Sequence, residues 1–145
     1  MITAVTPSDF EELVQVWEAS VRATHDFLAE EDILYYKPLI LNEYLYAVQL
    51  ACMRDDNNAI LGFVGTAEDK IEMLFIHPYS RGNGVGKKLL TYAVVQHNAT
   101  KVDVNEQNRQ AVGFYEHMGF TSVGRSELDP TGKPYPILHM ELRKH

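Results

Sequence analysis

Ile71 to Leu90 reads IEMLFIHPYSRGNGVGKKLL, and its periodicity changes midway. Ile71, Met73 and Phe75, with Leu74 and Ile76 between them, form a short apolar run that stops at Pro78, the pattern of a largely buried strand. From Val85 the spacing is helical. Val85, Leu89, Leu90, Ala93 and Val94 share one face of a helix expected to run to about His97. Between the two lies Arg81-Gly82-Asn83-Gly84-Val85-Gly86, with Lys87 and Lys88 directly after it. A loop of this kind opens backbone N–H groups toward one point.

The physics of such a junction is anion binding. The first N–H groups of a helix have no internal partner, and the helix dipole places partial positive charge there, so a phosphate finds donors already aimed at it. Glycine permits positive φ and close backbone approach. A nucleoside-triphosphate loop, G-x-x-x-x-G-K-[ST], does not fit, because Gly82 to Gly86 is one residue short and Lys88 stands where Ser or Thr would bind magnesium. A dinucleotide loop, G-x-G-x-x-G, does not fit either, because the third glycine comes one position early. The same glycines also suit a plain close junction between strand and helix.

The chain has 145 residues, the size of one domain spanning 1–145 and enough to bury roughly 70% of its unfolded surface. Its one cysteine, Cys52, lies in the apolar run Leu50-Ala51-Cys52-Met53, which suits a reducing compartment. There is no basic stretch leading into an apolar core at the N-terminus, and no run approaches the roughly 18 apolar residues of a membrane span. A cytoplasmic protein without membrane attachment is expected. The net charge of −7 argues against a nucleic-acid partner. Residues 1–72 carry 14 acidic and 4 basic side chains, and residues 73–145 carry 6 acidic and 9 basic. An anionic cofactor on the second half and a cationic acceptor facing the first both fit this division, as does an acidic surface kept for solubility.

Along the chain, Met1 to Val5 reads as a strand. Ser8 and Glu11 form a capping-box signature ahead of a helix whose apolar face is Phe10, Leu13, Val14, Trp17 and Val21. Asp26 to Leu41 reads as a helix interrupted or ended near Pro38. Tyr46 to Met53 and Ala59 to Thr66 read as strands joined by the turn Asp55-Asp56-Asn57-Asn58. Beyond the glycine-loop helix come a strand at Lys101 to Asn105, a helix at Asn108 to Met118 closed by Gly119, a strand at Phe120 to Gly124 and a last strand near Ile137 to Leu142. The expected fold is α/β (α+β): a single mixed, mostly antiparallel sheet of about six or seven strands with about four helices on both faces.

A second constellation is Asn108-Arg109-Gln110-Ala111-Val112-Gly113-Phe114-Tyr115, followed by Gly119-Phe120. At helical spacing Asn108, Ala111 and Tyr115 share one face, and Phe114 turns toward the core. Tyr115 also fits the role of a core aromatic with a satisfied hydroxyl.

With Arg81, Gly84 and Gly86 in the places of Q/R-x-x-G-x-G/A, and Asn108 to Phe120 matching N-x-x-A-x-x-F-Y and G-F, the chain resembles the GNAT superfamily of acetyl-CoA-dependent N-acetyltransferases. It is especially similar to the small bacterial members of the YjaB type. The resemblance implies acetyl-CoA as cosubstrate, its pyrophosphate held by Arg81, Gly82, Asn83, Gly84, Val85, Gly86 and Lys87. It implies that the backbone of Leu74, Phe75 and Ile76 pairs with the pantetheine arm, that N–H groups near a strand break around Phe75 and Ile76 receive the carbonyl oxygen, and that Asn108 hydrogen-bonds the cofactor. Tyr115 becomes the acid that protonates the leaving thiolate, a transfer uphill by roughly 1.5 units or about 2 kcal/mol for an ordinary phenol.

A lysine-like acceptor amine is only about 0.04% neutral at pH 7, equivalent to roughly 4.6 kcal/mol, so a base, a water chain or desolvation should contribute. Glu72, Asp103 and His25 are the candidate bases, and a solvated surface carboxylate is the ordinary alternative for the first two. By resemblance, acceptor contacts come from Trp17, Thr24, His25, Phe27 and Tyr35 and from Tyr135 and His139; core packing is the alternative for Trp17 and Phe27. The histidines lack metal-ligand spacing, so no metal is expected. Cys52, in an apolar strand, is not expected to be a nucleophile. The acceptor is an amine on a small molecule, a protein lysine or an N-terminus, and the chain acts as a monomer or homodimer. A coenzyme A-binding sensor without chemistry is the rival reading.

Overall fold

The computed structural model describes residues 2–24 and 27–143, and the chain divides into two compact units after Ala99. His25, one of the candidate bases and acceptor contacts, lies outside the described residues.

The first unit opens with β1 (Ile2–Ala4), followed by a 3-10 turn, Pro7–Asp9, that leads into α1 (Phe10–Thr24). The start is set differently from the expected Ser8 cap. Thr6 N–H donates to Asp9 Oδ2 at 3.0 Å, so the reciprocal contact lies two residues earlier and Pro7 occupies the first turn, where its missing N–H costs nothing. α2 (Glu30–Leu39) ends one residue after Pro38, where the sequence places the interruption. The backbone then continues through a π turn, Ile40–Tyr44, and a 3-10 turn, Leu45–Ala47. β2 accordingly begins at Gln49 and runs to Arg54, three residues later than the apolar pattern suggests.

β3 (Ile60–Ala67) and β4 (Lys70–Ile76) complete an antiparallel run β1-β2-β3-β4, and α3 (Val85–His97) follows. Cys52 pairs with Phe63 and Phe63 with Phe75, so these side chains share one face. They pack with Leu13, Val14 and Trp17 of α1 and with Ile33, Ile40 and Leu45 to form the core. The other face carries Gly62 and Ile76, against which α3 lies. A Cβ on Gly62 would stand 2.8 Å from Ile76 Cδ1, 3.0 Å from the Phe75 carbonyl oxygen and 3.2 Å from Val85 Cγ1. The bare glycine therefore sets how closely the first residue of α3 approaches the sheet.

The second unit consists of β5 (Lys101–Asn105), α4 (Arg109–His117), β6 (Phe120–Ser126) and β7 (Ile137–Leu142). β7 pairs antiparallel with both β5 and β6. Val102 and Val104 of β5, Met140 of β7 and Phe120 of β6 are buried, and Tyr115 of α4 stacks edge-on against Phe120 at 5.6 Å between ring centres. The β6–β7 connection is held by Asp129, whose Oδ1 accepts from the N–H groups of Thr131 and Lys133 at 2.9 Å each. Seven strands and four α-helices are present among the described residues.

Candidate functional site

The glycine loop takes a left-handed backbone path that residues with side chains rarely adopt. Gly82 and Gly84 have φ of +81° and +77°, and a Cβ on either would meet open space, so conformation and not crowding requires glycine in this structure. Gly84 is the N-cap of α3 and no side chain caps the helix; the first turn closes only when Lys88 N–H reaches the Gly84 carbonyl at 3.0 Å. The N–H groups of Val85, Gly86 and Lys87 are thus left without an intrahelical partner, at the positive end of the dipole. Asn83, Lys87 and Lys88 are exposed. Arg81 is partly buried, and that burial pulls its guanidinium pKa down from the ordinary value. A desolvated cation beside orphaned donors fits the anionic pyrophosphate of coenzyme A.

β4 leads into this loop. Phe75 lies 5.8 Å from Phe63 and packs against the core, so only its backbone is available to a cofactor, as it is for strand-type pairing. The expected break near Phe75 and Ile76 is not seen on the β3 side, where both residues stay in register with Phe63 and Gly62. The irregularity falls instead at Glu72: Thr66 pairs with Ile71 and Gly65 with Met73, leaving Glu72 without an opposite residue and exposed.

In the second unit Asn108 is not a helical residue sharing a face with Tyr115. It is the N-cap of α4, with φ −87° and its Oδ1 accepting from Ala111 N–H at 3.1 Å. Tyr115 is 6% exposed, set edge-on between Phe114 and Phe120, and burial raises its phenol pKa. The phenol therefore stays protonated well beyond the range of an exposed tyrosine.

Two residues expected in separate roles are brought together. Asp103 Oδ1 lies 2.7 Å from His139 Nδ1, and His139 Nε2 lies 2.7 Å from Ser126 Oγ. Ser126 escaped sequence reasoning, because only the register shift in β6 between Ser122 and Gly124 carries it to His139. The remaining acceptor candidates divide. Trp17 at 5% exposure and Tyr135 at 8% are buried, and the indole is part of the α1 core, the alternative that the sequence offers for it. Thr24 spends its hydroxyl on the Ser20 carbonyl at 2.7 Å. Phe27 is half-buried, and Tyr35 on α2 is exposed, its ring edge-on to Tyr36.

Comparison with known proteins agrees with this geometry. Residues 36–143 match the acetyltransferase (GNAT) domain family. The peptidyl-lysine N-acetyltransferase YjaB of Salmonella typhimurium is 41% identical over 90% of this chain and 89% of its own length. YjaB of Escherichia coli is 42% identical over 90% and 88%. The solution structure of apo YjaB from Escherichia coli superposes with a TM-score of 0.89 at 38% identity, covering 100% of this chain and 98% of the other. A coenzyme A complex of the PaiA N-acetyltransferase from Thermoplasma acidophilum, at 18% identity and TM-score 0.77 over 99% and 98%, shares the fold. That fold is the mixed open-sheet α/β class expected from the element order. The chain belongs to the GNAT family and is an acetyl-CoA-dependent N-acetyltransferase.

Proposed function

We propose that this enzyme acetylates the side-chain amine of lysine in a peptide or protein, with Tyr115 as the proton donor to the departing sulfur. The observation that supports the acceptor class is the likeness to two proteins named peptidyl-lysine N-acetyltransferase over 90% of the chain. Bound acetyl-CoA supplies a thioester activated toward an amine. Arg81, Gly82, Asn83, Gly84, Val85, Gly86 and Lys87 hold its pyrophosphate, and the backbone of Leu74, Phe75 and Ile76 holds its arm. Asn108 faces two demands, since its Oδ1 already caps α4; its amide N–H₂ is the part left for a cofactor contact.

Tyr115 acts where negative charge grows. Because burial raises its pKa, full transfer of its proton costs more than the roughly 2 kcal/mol of an ordinary phenol. Before the proton moves, the same O–H donates a hydrogen bond to the forming thiolate, which is worth most in a desolvated setting. The test is to incubate the purified protein with acetyl-CoA and a panel of amines that includes lysine peptides, small polyamines and peptides with free N-termini, following thiol release and acetylated product. Lysine-dependent release above the other amines is expected. Release that no amine raises above background would remove the lysine reading and favour a coenzyme A-binding sensor.

A further inference from the structure

The chain of contacts from Asp103 through His139 to Ser126 is a continuous polar path that the reading above leaves unused as a unit. We propose that these three residues form the proton relay that deprotonates the acceptor amine, with His139 as the base. This rests on the acetyl-transfer reading.

Donor and acceptor chemistry fixes the direction. A carboxylate offers only acceptors, so the proton of the neutral imidazole sits on Nδ1, toward Asp103, and Nε2 presents a lone pair to which Ser126 donates its O–H. An ammonium that hydrogen-bonds to Ser126 Oγ gives one proton to that oxygen as the serine proton passes to Nε2. The amine is left neutral with its lone pair free, the serine is restored, and His139 becomes an imidazolium whose charge the Asp103 carboxylate offsets. One proton has moved, and no bond to carbon has changed.

The sheet places the path where an amine can reach it. Asp103 and His139 are direct register partners, and both point away from the face that carries Val102, Val104 and Met140. The shift in β6 sets Gly124 opposite His139, where an added Cβ would stand 3.6 Å from His139 Cδ2, so the ring lies against a residue without a side chain and reaches on to Ser126. His139 and Asp103 keep 39% and 29% side-chain exposure, so the pair is open to a substrate and not sealed in the core. Of the charged groups on these strands, Lys101 and Glu141 are opposite one another and opposite in sign, and Arg125 is engaged by Glu106 at 2.6 Å, with Glu127 nearby.

The experiment compares wild type with His139→Gln, Asp103→Asn and Ser126→Ala. Acceptors are Nα-acetyl-lysine amide and its S-(2-aminoethyl)cysteine counterpart, whose amine is less basic. Calorimetric coenzyme A affinity and melting temperature report folding. His139→Gln should lose about 10²–10⁴-fold in kcat/KM for the lysine acceptor, with unchanged coenzyme A affinity and with the acid limb of the pH profile removed. Asp103→Asn and Ser126→Ala should lose less, and every loss should shrink with the less basic amine, which needs less help to shed its proton. Independently of turnover, proton NMR of the wild type should show a low-field Nδ1–H resonance that Asp103→Asn and His139→Gln each abolish. Wild-type kcat/KM in folded His139→Gln, equal losses for both amines, or absence of that resonance would overturn the relay. So would an acetyl group on Ser126 in the intact mass, which would make the serine a nucleophile. Wild type that acetylates neither amine removes the acceptor reading and the relay with it, whereas an active wild type with unaffected variants removes the relay alone.

Discussion

Tyr115 carries the sharpest expectation at the level of single residues. Tyr115→Phe keeps the ring against Phe114 and Phe120 and deletes one oxygen, so packing and acetyl-CoA affinity should stay within about threefold while kcat falls about 10²–10⁴-fold. Calorimetry and single-turnover rates separate the two quantities, and an unchanged chemical rate would return Tyr115 to a packing role. The raised pKa has a stability consequence whose sign is fixed. The unfolded chain loses this phenolic proton first, near pH 10, while the folded chain retains it, so the native state binds more protons and stability falls as pH rises above about 10. Melting temperature against pH should therefore decline less steeply above pH 10 in Tyr115→Phe than in wild type. Gly84 offers a different test, since open space surrounds its missing Cβ at φ +77°. Gly84→Asn, which tolerates left-handed backbone, should keep most of the coenzyme A affinity, and Gly84→Val should lose it. Equal losses would mean that the bound phosphate crowds the position and that conformation is not the reason for glycine.

Elements show how local chemistry positions the two halves of the machinery. α3 begins where it does because Gly84 takes left-handed φ and because Gly62 on β3 lets Val85 approach the sheet. Gly62→Ala would push against the Phe75 carbonyl, a backbone atom that cannot rotate away. It should cost about 1–3 kcal/mol of stability in denaturant melts, as overpacked positions do, and should weaken coenzyme A binding along with it by moving the start of α3. At α4 the cap is the device. Asn108→Ala should cost about 1 kcal/mol of stability, and Asn108→Asp should recover it, because a carboxylate caps Ala111 N–H as the amide does. A cofactor-binding loss that persists in Asn108→Asp identifies the amide N–H₂ as a ligand contact separate from the cap. The departures from the expected elements have different causes. The cap at Thr6 and Asp9 is a local T-x-x-D contact lying two residues ahead of the expected one, whereas the bulge at Glu72 depends on the strand path that its partner β3 stabilises and that residue spacing does not encode.

Across the whole molecule, the acidic excess of residues 1–72 is partly committed to internal contacts. Glu18 holds Arg22 and Lys37, Glu30 holds Arg22, Asp9 holds Arg54, and Glu12 accepts from Ile60 N–H at 2.8 Å. The rest still outnumber the cations, so if the acceptor is cationic, raising salt to about 0.5 M should raise its KM as screening shortens to a few Å; a flat response leaves the excess as a solubility feature. The glycine loop, the α3 face, the β5 and β7 spans and the N-x-x-A-x-x-F-Y segment were all legible in the sequence. Their signals are local: a change of period, a glycine where φ turns positive, a polar residue ahead of a helix. Tertiary structure alone decided that Tyr135 is buried and that Tyr115 is enclosed tightly enough to raise its pKa. It alone joined Asp103, His139 and Ser126, which lie on three different strands and meet through register and a bulge. Burial and strand register are properties of what the rest of the chain brings alongside a residue, and no spacing within one segment contains them.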